Sequence, residues 1–285
     1  MTIIDTHTHL DAEEFDTDRA EAIARAKAAG IGKVLIPAID YPSTVRSLEL
    51  SKAHPGYAYA MAGLHPEEVR SNWREQLSRI RQFAESQTAA GSNAEGSIAA
   101  EGSIAEDGEN WQKKPFIAIG EVGLDYYWSR EFEKEQLEAF EEQVCWSVES
   151  RLPLMIHCRK AQNEMVRLLR KYENDLPGGV FHCFTGNEHE AEELLSFERF
   201  VLGIGGVLTF KKSHLPEVLP ATVPLSRIVL ETDSPYMAPV PMRGKRNESA
   251  FVVYVANKLA ECYGVSTEEV AQTTNNAVAR VFNLQ

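Results

Sequence analysis

Short apolar runs alternate along the chain with longer stretches whose apolar positions recur at helical spacing. The first run, residues 2–6, leads into His7 and His9. If it continues as a strand, alternate side chains share a face and the two imidazoles project the same way. Residues 13–29 then place Phe15, Ile23 and Ala26 on one helical face, with Gly30 positioned to end the helix. Val34, Leu35 and Ile36 read as a buried strand stopped by Pro37, and Ser43 can cap a helix to Ala53. Residues 57–61 are the third strand, ending at Gly63-Leu-His-Pro66, and residues 67–85 set Trp73, Leu77, Ile80 and Ala84 on one side of a helix.

Residues 86–114 break this alternation. The stretch is rich in Ala, Gly, Ser and Glu and contains Ala94-Glu-Gly-Ser-Ile-Ala99 repeated at once by residues 100–105. A hexapeptide is too short to be a solenoid unit, and the composition is too polar to build a core. A solvated, flexible insertion is expected here.

The alternation then resumes. Residues 116–119 are the fourth strand, leading into Glu121; residues 130–150 carry Leu137, Phe140, Val144 and Val148 at helical spacing. Leu154, Met155 and Ile156 form a strand that ends in His157, and Met165, Leu168, Leu169 and Tyr172 mark the next helix. Gly179–Phe181 ends in His182, Ala191, Leu194 and Leu195 mark a helix, and Phe200–Ile204 and Ile228–Leu230 are the last strands. The final one runs into Glu231-Thr-Asp233. Residues 248–284 are helical, with Ser266-Thr-Glu-Glu269 as a capping box, and are expected to cover the outside of the fold. Eight strand candidates alternating with helices in 285 residues predict an α/β fold, a (β/α)8 TIM-type barrel formed by the whole chain 1–285.

Composition narrows the setting. Hydrophobic residues make up 44% and charged residues 25%, as in ordinary globular proteins. No apolar run is long enough to span a bilayer and no signal-peptide pattern opens the chain, so a cytoplasmic protein with no membrane partner, monomeric or weakly oligomeric, is expected. Cys145, Cys158, Cys183 and Cys262 lack paired spacing and read as reduced thiols rather than ligands. The net charge of −13 argues against a broad basic face for duplex nucleic acid, so any such contact is small and focused at the site. Six of the acids, from Glu85 to Glu109, fall in or beside the insertion, which leaves the rest of the chain less acidic than the total.

Ionisable residues at the predicted strand ends are His7, His9, Glu121, His157, His182 and Asp233. In a barrel all six face one mouth. Taken singly each has a plainer reading: a hydrogen-bonded core histidine, a capping glutamate, an Asx turn before Ser234-Pro235. Together, four imidazoles and two carboxylates suit two divalent ions with one carboxylate bridging. Water bound to such ions ionises near neutral pH, so the expected chemistry is metal-assisted hydrolysis.

The chain resembles TatD-type metal-dependent deoxyribonucleases of the amidohydrolase-like superfamily. The resemblance rests on Asp5-Thr-His-Thr-His-Leu-Asp11, Gly63-Leu-His-Pro66, Gly120-Glu-Val-Gly-Leu-Asp-Tyr126 and Leu154-Met-Ile-His157. It continues through His182-Cys-Phe-Thr-Gly186, Glu231-Thr-Asp-Ser-Pro-Tyr236, Arg243-Gly-Lys-Arg-Asn247 and Asn275-Asn276, and so covers nearly the whole chain. It implies that His7, His9 and Asp233 serve one ion, that His157 and His182 serve the other, and that Glu121 bridges. No lysine stands at the ends of strands four or five for a carbamylated bridge, which favours the nuclease branch. Ser249 replaces the proline of the family pattern, so a looser loop is expected there.

The resulting expectation is a divalent-metal-dependent deoxyribonuclease using Zn, Mn, Co or Mg, exonucleolytic on single-stranded DNA or ends. Asp233 is the general-base candidate, because Glu121 cannot easily bridge and accept a proton. His65 and Arg243 are candidate phosphate contacts. Tyr126, Tyr127 and Trp128 could stack unpaired bases, and Tyr126 is taken as the substrate contact. Rival readings are a small-molecule amidohydrolase or esterase on the same site, and a metal-bound adaptor without catalysis.

Overall fold

A computed structural model describes residues 1–93 and 114–284. Strands and helices alternate as β1 (Ile3–Asp5), α1 (Arg19–Ala28), β2 (Ile31–Ile36), α2 (Tyr41–Ala53), β3 (Ala58–Ala60) and α3 (Trp73–Asn93). Then follow β4 (Ile119–Asp125), α4 (Glu133–Ser150), β5 (Leu154–Arg159), α5 (Gln162–Arg170), β6 (Gly179–Phe181) and α6 (Glu188–Leu195). The chain ends with β7 (Phe200–Ile204), α7 (Leu215–Thr222), β8 (Ile228–Leu230), α8 (Val252–Tyr263) and α9 (Thr267–Phe282). Among the described residues no helix is long and apolar enough to cross a membrane.

All pairings are parallel, in the orders β1-β2-β3 and β4-β5-β6-β7-β8. Single bridges join the two sheets, Ala62 to Ile119 on one side and Thr8 to Ser234 on the other. The Ile117 N–H donates to Ala60 O at 3.0 Å and the Thr6 N–H to Leu230 O at 3.0 Å, which closes the ring of strands into a barrel.

The strand residues divide between two apolar layers. Ile3, Val34, Ile36, Ile156 and Leu230 pack outward against the helices. Ile4, Leu35, Met155, Val180, Val201 and Val229 instead meet Ala277, Val278, Phe282 and Leu284. The helix α9 therefore plugs the N-terminal end of the barrel instead of lying outside it; Asn275 Nδ2 donates to Thr2 O at 2.7 Å and Arg280 Nη2 to Ser226 O at 2.8 Å. Periodicity shows that α9 has an apolar face but not which surface that face meets.

Several boundaries differ from the sequence reading. The fourth strand is Ile119–Asp125, later than the expected 116–119, because Gly120, Glu121 and Gly123 broke an apolar pattern that the pairing with β5 does not require. The expected helix at 13–29 is a 3-10 turn, Glu13–Phe15, followed by α1; Asp16, Thr17 and Asp18 favour the break. Asp40, not Ser43, caps α2: its Oδ1 accepts from the Ser43 N–H at 2.7 Å while Ser43 Oγ accepts from the Asp40 N–H at 2.9 Å. Pro216 and Pro220 hid α7 from the sequence reading. Helix α3 runs past the expected end at Glu85 into the stretch read as insertion; the tandem hexapeptide lies outside the described residues.

Candidate metal centre

The C-terminal strand ends converge on one buried cluster. Beyond β1 the Thr8 hydroxyl meets Ser234 Oγ at 2.7 Å, and the Asp233 N–H donates to His7 O at 2.8 Å. This ties the histidine segment to the exit of β8. Asp5 anchors the same junction, accepting from the Thr232 N–H at 2.9 Å and hydroxyl at 2.7 Å. On β4, Gly123 has φ +142, and a Cβ there would fall 1.9 Å from His157 O, so only glycine lets β4 and β5 approach this closely.

Glu121 sits at the centre, 2% exposed, and its two oxygens face different partners. Oε2 lies 3.1 Å from His7 Nε2 and 3.5 Å from His9 Nε2, and Asp233 Oδ1 is 3.8 and 3.7 Å from the same nitrogens. Oε1 lies 3.0 Å from His157 Nδ1, 3.1 Å from His182 Nε2 and 3.3 Å from His65 Nε2. Thus His7, His9, His65, Glu121, His157, His182 and Asp233 are brought together as the sequence reading expected. His65 stands inside the cluster, closer in than a residue at its edge.

Two carboxylates missed by the sequence reading stand beside the outer nitrogens, Asp125 within hydrogen-bond reach of His157 and Glu231 only within ion-pair range of His182. Asp125 Oδ2 lies 2.8 Å from His157 Nε2, and its Oδ1 accepts from the Tyr127 N–H at 2.8 Å. Glu231 Oε1 lies 3.4 Å from His182 Nδ1 and accepts from the Cys183 N–H at 2.6 Å. A Cβ on Gly203 would fall 2.1 Å from Glu231 Oε2, so glycine makes the space that this carboxylate occupies. The signal for both acids was present, since each lies in a motif adjoining a ligand candidate. Only the fold shows which imidazole each one meets.

Burial penalises charge throughout the site, and the neighbours decide the outcome. Burial alone would raise the Glu121 pKa, but His7, His65 and His182 hold it well below the usual range. Asp233 is likewise lowered against burial by its hydrogen bond to His9 and the charge of His182. Burial acts to lower His157, yet Asp125 and Glu121 raise it to about 9; Glu121 and Glu231 raise His182 in the same way. Burial and the neighbouring His182 lower His7, and burial raises Asp5 to about 7.

These donors fit divalent ions. Imidazole nitrogens and carboxylate oxygens in three overlapping sets, His7/His9/Glu121, His7/His182/Glu231 and His65/Glu121/His157, lie within 4.8 Å of one another. His7 Nδ1, His182 Nδ1 and Glu231 Oε2 are buried without a hydrogen-bond partner among the described residues. A concentration of lone pairs in so dry a place is the donor chemistry that borderline cations satisfy.

The cluster floors a cavity of about 720 Å³ whose rim includes Arg46, Trp128, Arg159 and Tyr236. Two expected substrate contacts are elsewhere. Tyr126 is buried, with Arg130 stacked 4.9 Å over its ring, and does not line the cavity. Arg243 points away, 4.1 Å over the Phe210 ring with Nη1 donating to Ala238 O, so Arg46 and Arg159 are the arginines that reach the mouth. Alternation and loop position could not tell which basic side chain turns inward.

The loop before Ser249, where a looser backbone was expected, carries several side-chain ties. Asn247 Nδ2 donates to Thr232 O and Tyr236 O, while Glu248 pairs with Arg25 and Arg246 with Asp18.

Comparison with known proteins agrees with this geometry. Residues 4–283 match the family described as TatD related DNase. A Bacillus subtilis protein named an uncharacterized metal-dependent hydrolase, YabD, is 33% identical over 282 residues, covering 99% of each chain. A Pectobacterium carotovorum protein named 3'-5' ssDNA/RNA exonuclease TatD is 29% identical, covering 99% of this chain and 100% of its own. The crystal structure of YJJV, a TatD homologue from Escherichia coli, superposes with a TM-score of 0.83 at 27% identity, covering 99% of this chain and 98% of its own. With the family match running nearly end to end, the chain belongs to the TatD-related DNase family of metal-dependent hydrolases.

Proposed function

We propose that the protein is a divalent-metal-dependent deoxyribonuclease that removes nucleotides from the ends of single-stranded DNA. As a member of the family it is a metal-dependent hydrolase acting on ester bonds, and similarity to proteins named ssDNA/RNA exonucleases supports the substrate and the exonucleolytic mode. The observation that carries the reading is the division of Glu121. One oxygen faces His7 and His9, the other His157 and His182, as a carboxylate shared between two ions requires.

In this reading His7, His9 and Asp233 with Glu121 Oε2 would hold one ion, and His157 and His182 with Glu121 Oε1 the other. The imidazole-rich set suits Zn, Mn or Co better than Mg. When bound, such ions supply Lewis-acid charge to a phosphodiester and lower the pKa of water in the site.

The chain's own groups do the rest. Asp233, held ionised and 18% exposed at its side chain, has an open side from which to accept the proton of the attacking water. His65 Nδ1 accepts from the Glu67 N–H at 3.1 Å, so in the neutral ring the proton is on Nε2, which faces the centre. That tautomer makes His65 a donor to a non-bridging phosphate oxygen. Arg46, half exposed and 3.3 Å from Asp11, offers a second positive contact at the mouth.

The test is Asp233→Asn on end-labelled single-stranded DNA. The variant should lose cleavage while retaining metal, since the amide oxygen can still coordinate but cannot take a proton. Undiminished turnover would remove Asp233 from its role, and no chelator-sensitive cleavage by the wild type would remove the nuclease reading itself.

A further inference from the structure

The pairing of β4 with β5 continues beyond His157 through Leu124 with Cys158 and Asp125 with Arg159. It carries a compact group of side chains out to one wall of the cavity. Tyr127 and Trp128 meet edge to face, with centroids 4.8 Å apart and planes at 85°. The Arg159 guanidinium lies 3.6 Å from the Tyr127 centroid and 5.3 Å from that of Trp128. The Trp128 indole is 69% exposed.

Arg159 is the less usual member. Its guanidinium makes no hydrogen bond or ion pair to any described residue. Asp125, its strand neighbour, already engages His157 and the Tyr127 N–H. A guanidinium stacked on an aromatic face keeps its N–H edges free for a forked contact with phosphate. An exposed indole beside it offers the flat apolar surface on which an unpaired base stacks, whatever its identity.

We propose that Trp128, backed by Tyr127 and Arg159, forms a subsite for the nucleotide adjoining the scissile phosphate. The base lies on the indole and Arg159 forks the neighbouring phosphate. The proposal rests on the nuclease reading and deepens it. A base within a duplex has both faces stacked, so this wall selects single strands and frayed ends through access and not through a sequence code.

The test uses metal-loaded protein and fluorescently labelled, cleavage-resistant phosphorothioate strands: oligothymidylate, an abasic strand of equal length, and a blunt duplex. Wild type should bind oligothymidylate best. Trp128→Ala should lose about tenfold on oligothymidylate but not on the abasic strand, so that the preference for bases collapses. Arg159→Ala should flatten the dependence of log affinity on log salt by about 0.7, the value of one lost phosphate contact on a single strand.

Wild-type affinity for oligothymidylate in Trp128→Ala, or an equal loss on both strands, would overturn the subsite while leaving the nuclease reading intact. An unchanged salt slope in Arg159→Ala would remove its phosphate contact. Failure of the wild type to bind any strand while it cleaves ordinary single strands would overturn the subsite alone, and failure both to bind and to cleave would overturn the nuclease reading as well.

Discussion

Replacing Asp125 with asparagine tests how the centre is held. Asp125 Oδ2 meets His157 Nε2 at 2.8 Å, and the carboxyl is 2% exposed. In the metal-loaded protein the single His157 proton would reside on Nε2, against the Asp125 carboxylate, leaving the Nδ1 lone pair beside Glu121 Oε1 for the ion. In the variant the amide oxygen must stay opposite the Tyr127 N–H, which Oδ1 accepts at 2.8 Å. The amide NH2 then faces Nε2, and the ring is driven to the tautomer with its proton on Nδ1, against the metal. Loss of such an outer carboxylate weakens metal binding by roughly 10- to 100-fold, or about 1.4 to 2.7 kcal/mol. Calorimetric titration of metal-stripped protein with Mn2+ should show one equivalent weakened by this factor and the His7–His9 equivalent nearly unchanged, with the fold intact by circular dichroism. Two wild-type equivalents in a folded Asp125→Asn protein would refute the argument.

The other expectations concern the same centre and its support. His7→Ala and His9→Ala should each lose the same metal equivalent and His157→Ala a different one, as counted by metal analysis; loss of both ions from every variant would deny the division at Glu121. Metal affinity should climb as pH rises towards 9, because His157 is raised to about 9 and His182 is raised too, and each bound ion must displace their protons. A pH-independent binding constant between pH 6.5 and 9 would contradict this. The same shift predicts that the metal-free protein draws stability from protonated His157 below about pH 6.5 and loses it as pH rises through 9, visible as a falling Tm in chelator. Phe282→Ala, which opens the α9 plug beneath the barrel, should cost about 3–5 kcal/mol in denaturant unfolding; a loss under 1 kcal/mol would mean that α9 is not part of the core.

The histidines and carboxylates of the centre were legible because each follows an apolar run, and a strand that ends in a polar side chain is a local pattern. His7, His9, His157, His182 and Asp233 needed only alternation and the barrel rule that reacting groups gather at C-terminal strand ends. Glu121 was found although its strand was misplaced, since it follows the apolar run 116–119 and lies in a motif of the family resemblance. The fold class followed from the count of alternating elements.

Tertiary structure decided the rest, because these contacts link residues far apart in sequence through barrel closure and register. Nothing local states that Glu121 turns one oxygen to each pair of histidines, that Asp125 meets the outer nitrogen of His157, or that Glu231 lies in ion-pair range of that of His182. Tyr126 and Arg243 had suitable chemistry and neighbouring motifs, yet core packing took the first and Phe210 the second. Arg159 and Trp128 took their place at the rim because β4 and β5 stay paired beyond the ligands. Helix α9 had a readable apolar face, but only closure of the barrel created the open N-terminal end that this face fills.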